Sequence, residues 1–165
     1  MITVCPVRKA GPPDAPELMD ICRAGFDEHR MFKMDDSRVS TMLTRAFNGH
    51  GAIVGALGQT GKVEGAIYLL ISQFWYSSEW CLEELFCYVR PQFRKSTNAK
   101  DLIEFGKRCA SELGLPLVMG IVSNERTQAK IGLYRRQLSD PIGAYFAYNM
   151  PQRDFNDLPL YKSEI

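Results

Sequence analysis

The segment 80–122 constrains the fold most, because its periodicity changes from that of a strand to that of a helix and then to an apolar run. A strand pattern covers 80–89, and an amphipathic helix follows. Its apolar face is formed by Ala99, Leu102, Ile103, Gly106, Ala110 and Leu113. Gly114 caps this helix and Pro116 prevents its continuation. The apolar run at 117–122 is typical of a strand buried on both faces beside a parallel neighbour.

The rest of the chain extends this alternation of strands and helices. Periodicity and breaker residues predict, in order, a strand over 4–8, a helix over 15–28, a helix from 36 or 37 to 47, strands over 52–57 and 63–74, the segment 80–122, a helix over about 125–137 and a strand near 144–148. The predicted order is β-α-α-β-β-β-α-β-α-β. It places the chain among α/β or α+β folds with a mixed sheet.

Length and composition indicate a single globular domain over 1–150 with a polar tail over 151–165. The chain has 165 residues, of which 45% are hydrophobic and 24% charged. No apolar run approaches the roughly 20 residues that cross a bilayer. The formal net charge of +1 gives no general attraction to nucleic acid. We therefore expect neither a membrane segment nor nucleic-acid binding.

The N-terminus and the cysteines predict a reducing compartment. The first nine residues lack the charged-then-apolar order of a signal peptide, so we expect a cytoplasmic location. The five cysteines are an odd set without a C-x-x-C pair, and no histidine cluster accompanies them. This pattern argues against a disulfide framework and against a metal site, and it favours free thiols.

Two motifs lie beyond the ends of the predicted strands. The first is Val89-Arg90-Pro91-Gln92-Phe93-Arg94-Lys95-Ser96-Thr97-Asn98-Ala99, where a strand ends and a helix begins. The second comprises Asn124, Ala129, Leu133 and Tyr134. A backbone that turns from a strand into a helix presents unpaired N–H groups at the positive end of the helix, which is a ready anion site.

Together these motifs resemble those of the GCN5-related N-acetyltransferases (GNAT). In that family an Arg-x-x-Gly-x-Gly/Ala loop binds the pyrophosphate of acetyl-coenzyme A; Arg94 and Ala99 match it, and Thr97 replaces a glycine. The variant Arg94 to Lys100, followed by Leu133-Tyr134-Arg135-Arg136-Gln137, resembles the phage-associated branch of the superfamily. The resemblance implies a sheet of about six to seven strands with four helices, and a V-shaped splay between the strands that end near Val89 and Ser123.

For the loop, the resemblance implies that the amides of Lys95, Ser96, Thr97, Asn98 and Ala99 hold the pyrophosphate, with charge from Arg94 and Lys95 and with Lys100 within the same motif. Glycine at the position of Thr97 would accept positive φ, which strains a β-branched residue. Either the loop keeps negative φ and a hydroxyl of Ser96 or Thr97 joins the phosphate contacts, or coenzyme A binding is weakened. The alternative is that Ser96, Thr97 and Asn98 only cap the helix.

The resemblance also places the rest of the cofactor site. Main-chain groups of Cys87, Tyr88 and Val89 would bind the pantetheine arm as an added strand. The side chain of Asn124 would reach the pantetheine or the splayed backbone, with a turn or helix cap as the alternative. Tyr134 would donate a proton to the departing thiolate, because a phenol stays protonated at neutral pH. The alternative for Tyr134 is core packing.

Transfer to an amine also needs a base, and the candidates are Glu83 and Glu84. Strand alternation sends them to opposite faces. Glu84 is favoured because it shares a predicted face with Phe86 and Tyr88, and an exposed glutamate pair without a catalytic role is the alternative.

The sequence therefore predicts an acetyl-coenzyme A dependent N-acetyltransferase without a metal, which acetylates a small-molecule or peptide amine. The alternative is a catalytically inactive GNAT-like binding or regulatory protein. A phage origin of such a protein is compatible with this alternative. A homodimer is a further, weaker expectation from the exposed-looking aromatic residues.

Overall fold

The computed structural model describes residues 6–29, 31–122 and 126–148. The helices are α1 (Ala15–His29), α2 (Asp36–Phe47), α3 (Asn98–Leu113) and α4 (Thr127–Gln137), with short 3-10 turns at Pro12–Asp14 and Pro91–Phe93. The strands are β1 (Arg8–Lys9), β2 (Ala52–Gln59), β3 (Lys62–Gln73), β4 (Trp80–Val89) and β5 (Leu117–Val118). Among the described residues, no helix has the length and apolar character needed to cross a membrane.

The five strands form one mixed sheet in the order β1-β2-β3-β4-β5. Neighbouring strands are antiparallel except β4 and β5, which are parallel. Helices α1 and α2 pack on one face of the sheet, around Leu18, Tyr68 and Phe86, and α3 packs on the other, around Ile67 and Leu102. The central strands are covered on both sides, which explains their long apolar runs.

A β-bulge in β4 changes which of its side chains share a face. Tyr68 of β3 is opposite Phe86 and Leu69 is opposite Glu84, so Leu85 is an extra residue without a partner in the ladder. Strict alternation would have placed Glu84 with Phe86. The bulge instead puts Glu84 on the α3 side, with Leu69 and Cys87, while Phe86 stays on the α1 side.

Most of the predicted elements are confirmed within a residue or two, from the first helix to the helix that ends at Gln137. Three expectations are wrong. The strand near 144–148 does not form, so the described sheet has five strands instead of six or seven. The run at 117–122 has only two strand residues and is half-buried, because no strand covers its outer edge among the described residues. Leu113 is 44% exposed, whereas Phe105 and Cys109 are buried.

Several predicted features fall partly outside the described residues. Of the predicted first strand, Val4 and Cys5 lie outside them, and so does the tail over 151–165. Apart from Cys5, the cysteines all lie within the described residues: Cys22, Cys81, Cys87 and Cys109. All four are free thiols, as expected.

Asp14 is the buried carboxylate that holds the start of the chain to the β2–β3 turn. Its side chain is 1% exposed, and its oxygens accept bonds from both terminal nitrogens of Arg8 at 2.7 and 2.8 Å. The N–H groups of Gly11 and Gly61 also donate to it, at 3.1 Å each. Gly61 has φ 72°, a turn conformation that glycine adopts without strain. These bonds, led by the one from Arg8, lower the pKa of Asp14 to about 2.

We expect Asp14→Asn to destabilise the fold, because the amide loses the ion pair and one of its acceptor oxygens. The pKa of Asp14 falls from 3.8 to about 2 on folding, a shift that corresponds to roughly 2 kcal/mol at neutral pH. Because the pKa of Asp14 is lowered on folding, its charged carboxylate stabilises the fold at pH values above 3.8. This stabilisation is lost as the pH falls through the folded-state pKa of about 2. Urea unfolding from pH 7 to pH 2 should show this loss in the wild type.

The matched control for this substitution is Asp20→Asn, which removes an exposed carboxylate paired with Arg23 on the same helix. We expect little change in stability from it, because exposed ion pairs contribute little. Equal effects of the two substitutions would contradict the role given to Asp14.

Candidate functional site

The sheet opens between β4 and β5 after two residue pairs. Leu82 is opposite Leu117 and Glu83 is opposite Val118, and among the described residues no pairing continues beyond them. Beyond the last pair, a side-chain bond links the two segments: Glu84 Oε2 accepts the N–H of Gly120 at 3.2 Å. From Glu84 to Val89, this edge of β4 has no strand partner in the described part of the chain.

Four titratable side chains meet at this opening. Cys87 and Glu84 come from β4, and Lys130 and Tyr134 come from α4, one turn apart on the same side of the helix. Tyr134 interacts with the Cys87 thiol, and Lys130 interacts electrostatically with Glu84 and Cys87. We call Glu84, Cys87, Lys130 and Tyr134 the cleft cluster.

Burial controls protonation in the cleft cluster. It raises the pKa of Tyr134 well above 10, and the neighbouring Cys87 and Glu84 raise it further. Burial likewise raises the pKa of the Cys87 thiol, with Glu84 adding to the effect. The pKa of Lys130 is lowered, again mainly by burial. At neutral pH the phenol and the thiol therefore keep their protons, and this thiol is a poor nucleophile.

Glu84 has a pKa near neutrality. Burial raises it to about 7, with a further rise from Glu83, while the Gly120 N–H and Lys130 oppose the shift. A carboxylate in this range can accept a proton at working pH. Glu84 shares its face with Cys87, so our expectation that it shares a face with Phe86 and Tyr88 is wrong. The bulge at Leu85 is the cause.

Glu83 lies on the opposite face of β4, as alternation predicts. Its Oε2 accepts the hydroxyl of Ser72 at 2.9 Å, and Glu83 is half-buried on the α1 side of the sheet. Only one of the two glutamates, Glu84, therefore belongs to the cleft cluster.

The loop before α3 adopts ordinary backbone angles. Thr97 has φ −82° and ψ −2°, so the conformation that would require glycine is not used. The hydroxyl of Thr97 donates to Asp101 Oδ2 at 2.7 Å. Ser96 Oγ donates to the Phe93 carbonyl at 2.6 Å and accepts the N–H of Asn98 at 3.2 Å, so these hydroxyls also organise the start of the helix.

This loop still presents free donors. Within the part of the chain that the structure describes, the N–H groups of Ala99 and Lys100 have no hydrogen-bond acceptor. The side chains of Lys95 and Lys100 are exposed beside them. Two backbone donors, the positive helix end and two ammonium groups make a site suited to an anion.

Arg94 behaves differently from these lysines. Its Nε donates to the Val89 carbonyl at 2.8 Å, and its Nη2 donates to both oxygens of Glu28 at 2.8 and 2.9 Å. The guanidinium also lies over the ring of Tyr88, at 5.0 Å from the ring centroid. Glu28 and Lys130 were not predicted as site residues. The i, i+4 spacing of Lys130 and Tyr134 was a usable signal for Lys130, but 66 residues separate Glu28 from Arg94.

The remaining predicted residues are Asn124 and Ser123, and both lie outside the described residues. Cys87 is half-buried at the opening, while Tyr88 and Val89 are buried in the two cores.

No family model and no curated protein matches this sequence. Solved structures do match the fold. The aminoglycoside N-acetyltransferase AAC(6')-Iy, solved with the bisubstrate analogue CoA-S-monomethyl-acetylneamine, is 15% identical, with a TM-score of 0.69 over 88% of this chain and 97% of that one. The aminoglycoside acetyltransferase meta-AAC0020, from an uncultured soil metagenomic sample, is 15% identical, with a TM-score of 0.66 over 88% and 95%.

A ribosomal-protein-alanine N-acetyltransferase from Brucella melitensis biovar Abortus 2308 is also similar, at 16% identity and a TM-score of 0.64 over 88% of this chain and 97% of that one. At these identities the likeness concerns the fold. The mixed five-stranded sheet with four helices is therefore an architecture that this chain shares with these acetyltransferase structures.

The raised pKa of Glu84 generates a stability prediction. Between pH 4.5, its ordinary pKa, and about 7, the folded state holds a proton that the unfolded state releases. Wild-type stability should therefore fall as pH rises through this window, by on the order of 2 kcal/mol from this group. Glu84→Gln keeps an acceptor for Gly120 but cannot titrate, so it should remove this part of the pH dependence.

Urea unfolding of wild type and Glu84→Gln at pH 5 and pH 8 measures the difference. Glu112→Gln, on the exposed side of α3, is the matched control and should follow the wild type. Parallel pH profiles for the wild type and Glu84→Gln would show that the surroundings of Glu84 do not raise its pKa.

Proposed function

We propose that this protein is an acetyl-coenzyme A dependent N-acetyltransferase that transfers the acetyl group directly to an amine. The observation that carries the proposal is the opening beside β4, where Glu84 and Tyr134 lie together. The chain that follows β4 leads from this opening to the N-terminus of α3. An acid and a base beside an anion site are what thioester aminolysis with coenzyme A requires. The GNAT-like fold supports this assignment.

The cofactor would lie along the open edge of β4. Its pantetheine arm would add to the main chain of Cys87, Tyr88 and Val89 as a strand adds to a sheet edge. Its pyrophosphate would meet the amides of Lys95, Ser96, Thr97, Asn98 and Ala99, with Lys100 at the end of the same motif. The negative φ at Thr97 supports an unstrained variant of the loop, in which threonine replaces glycine.

The side chains of the cleft cluster then have defined roles. Glu84, with a pKa of about 7, accepts the proton that the attacking amine loses, directly or through a water. The amine nitrogen bonds to the thioester carbon, and the carbon–sulfur bond breaks. Tyr134 donates its phenolic proton to the departing sulfur, and the raised pKa of Tyr134 ensures that this proton is present. The products are an N-acetylated amine and coenzyme A.

The acceptor would be a small-molecule or peptide amine. Several of the similar structures are aminoglycoside acetyltransferases, one of them solved in complex with sisomicin, and another is a ribosomal-protein-alanine acetyltransferase. They support an amine acceptor without choosing its type. The variant loop that ends in Lys100 remains the argument for the phage-associated branch.

Self-association is a further part of the proposal. Trp75 and Tyr76, in the connection between β3 and β4, are 95% and 71% exposed, and Phe146 near the end of the described chain is 96% exposed. Clustered exposed aromatic side chains are typical of interaction surfaces and support a homodimer.

Ligand binding tests the proposed function first. Acetyl-coenzyme A at millimolar concentration should raise the melting temperature by roughly 5–10 °C, if the dissociation constant is about a hundredfold lower than the concentration used. Pantetheine, which lacks the pyrophosphate, should give a clearly smaller shift. Differential scanning calorimetry of the full chain measures both, and thiol release across a panel of aminoglycosides and peptides measures turnover.

The absence of any shift with acetyl-coenzyme A would remove the proposed function. A shift without thiol release for any amine would favour the alternative, a binding or regulatory protein on the same fold.

Tyr134→Phe tests the proton donor. The variant keeps the ring and loses the hydroxyl, so turnover should fall roughly 100-fold or more while the affinity for coenzyme A is nearly unchanged. Steady-state thiol release with the best acceptor of the panel measures the loss. Tyr76→Phe, which removes the hydroxyl of an exposed tyrosine, is the control. Unchanged turnover of Tyr134→Phe at every pH would show that the phenol is not the acid.

A further inference from the structure

The guanidinium of Arg94 contacts three residues from two elements of the fold, β4 and α1. Its Nε is bonded to the Val89 carbonyl at the end of β4, and its Nη2 is bonded to Glu28 near the end of α1. Its planar face covers the ring of Tyr88. The Arg94 side chain is 17% exposed, so these contacts are largely shielded from water.

Tyr88 closes the network from the other side. Its hydroxyl donates to Glu28 Oε1 at 2.7 Å, the oxygen that also accepts from Arg94. Burial, with the carboxylate of Glu28, raises the pKa of Tyr88 to about 12, which keeps the phenol a donor. Glu28 thus accepts bonds from the β4 strand and from the loop that follows it. We call Glu28, Tyr88 and Arg94 the α1 tie.

Among the N–H donors of Arg94, Nε and Nη2 are bonded within the fold, and Nη1 has no acceptor in the described part of the chain. Movement of the guanidinium to a phosphate would take two charge-assisted hydrogen bonds from Glu28, which is half-buried, and this loss is costly. Lys95 and Lys100 need no such rearrangement, because they are exposed and, within the described residues, they form no ion pair. The unbonded N–H groups of Ala99 and Lys100 are available as well.

We infer that Arg94 is a positioning residue, which fixes the loop that follows β4 against α1, and that the loop amides and the exposed lysines meet the phosphates. This inference rests on the proposed function, because it assigns roles within the same coenzyme A site. It differs from the role that the family resemblance implies for Arg94, which is to supply charge to the pyrophosphate.

The sign of the effect of Glu28→Gln separates the two roles. If Arg94 positions the loop, Arg94→Gln and Glu28→Gln both loosen it, and each should raise the dissociation constant of coenzyme A roughly five- to tenfold. The double variant should then be no weaker than the weaker single variant. If Arg94 binds phosphate, Glu28→Gln releases the guanidinium and the affinity stays the same or rises. Isothermal titration calorimetry with coenzyme A measures all four proteins.

Arg94→Lys provides a second criterion. Lysine keeps the charge but cannot bond to the Val89 carbonyl and to Glu28 at once, so under the positioning role it should bind coenzyme A as weakly as Arg94→Gln. Substantial rescue of coenzyme A affinity by lysine would overturn the inference, because a point charge can still serve a phosphate.

A matched control pair lies at the other end of α1. Arg90 donates from Nε to the Val63 carbonyl at 2.9 Å and from Nη2 to Glu17 at 3.0 Å, an arrangement of the same kind outside the loop. Arg90→Gln should lower the melting temperature without changing coenzyme A affinity. An equal loss of affinity from Arg90→Gln would overturn the specific role of Arg94.

Failure of the proposed function gives a different result. If the wild type does not bind coenzyme A, that function is wrong, and the α1 tie is tested by unfolding alone. The Arg94 and Glu28 substitutions should then lower the melting temperature non-additively, by a few degrees each. Additive effects, or none, would show that the α1 tie does not hold the loop.

Discussion

The fold depends on a strand that is paired along its whole length on one side and, within the described residues, along two residues on the other. β4 pairs with β3 from Trp80 to Val89, which fixes its position in the core. Its parallel pairing with β5 ends at Glu83. The exposed edge that results would be a liability in most sheets, because unpaired main-chain groups attract other strands. Here it is flanked by Glu84 and by the side chains of Lys130 and Tyr134 from α4.

The bulge at Leu85 determines what chemistry this edge offers. Without the extra residue, Glu84 would lie under α1 beside Phe86, among the apolar side chains of that core. With it, Glu84 enters the cleft cluster, where burial and its neighbours bring its pKa to about 7. The same burial raises the pKa of Tyr134. The bulge thus brings Glu84 to the opening to which α4 contributes Tyr134, and the pKa values of these two groups lie in different ranges.

The elements from α1 to α4 could be predicted from the sequence because each has a clear local signal, whereas the predicted final strand does not form. The helical face of α3, the cap at Gly114 and the stop at Pro116 all act within a few residues. The site could be predicted only in part, because strand alternation places Glu84 on the wrong face once a bulge is present. The succession Glu83-Glu84-Leu85-Phe86 was a usable signal, since it already breaks the alternation of polar and apolar residues. The tie between Glu28 and Arg94 has no local signal, because tertiary packing brings these residues together across 66 positions. The composition of the segment 144–148 is typical of a strand, but the segment does not form one. Strand formation also requires the edge of a neighbouring strand as a partner.

The loop before α3 shows how free N–H donors at the start of a helix can be presented without glycine. Glycine permits positive φ and close approach of the backbone, but it also makes the unfolded chain more flexible. In this loop, Thr97 stays at negative φ and bonds to Asp101, and Ser96 bonds on both sides of the turn. These short-range bonds fix the direction of the free N–H groups of α3, and the contacts of Arg94 fix the entry to the loop from β4. Side-chain hydrogen bonds can therefore hold this loop in one conformation where glycine would supply conformational freedom. This holds for a ligand that approaches the helix end and does not need the space that a glycine, which has no side chain, would leave open.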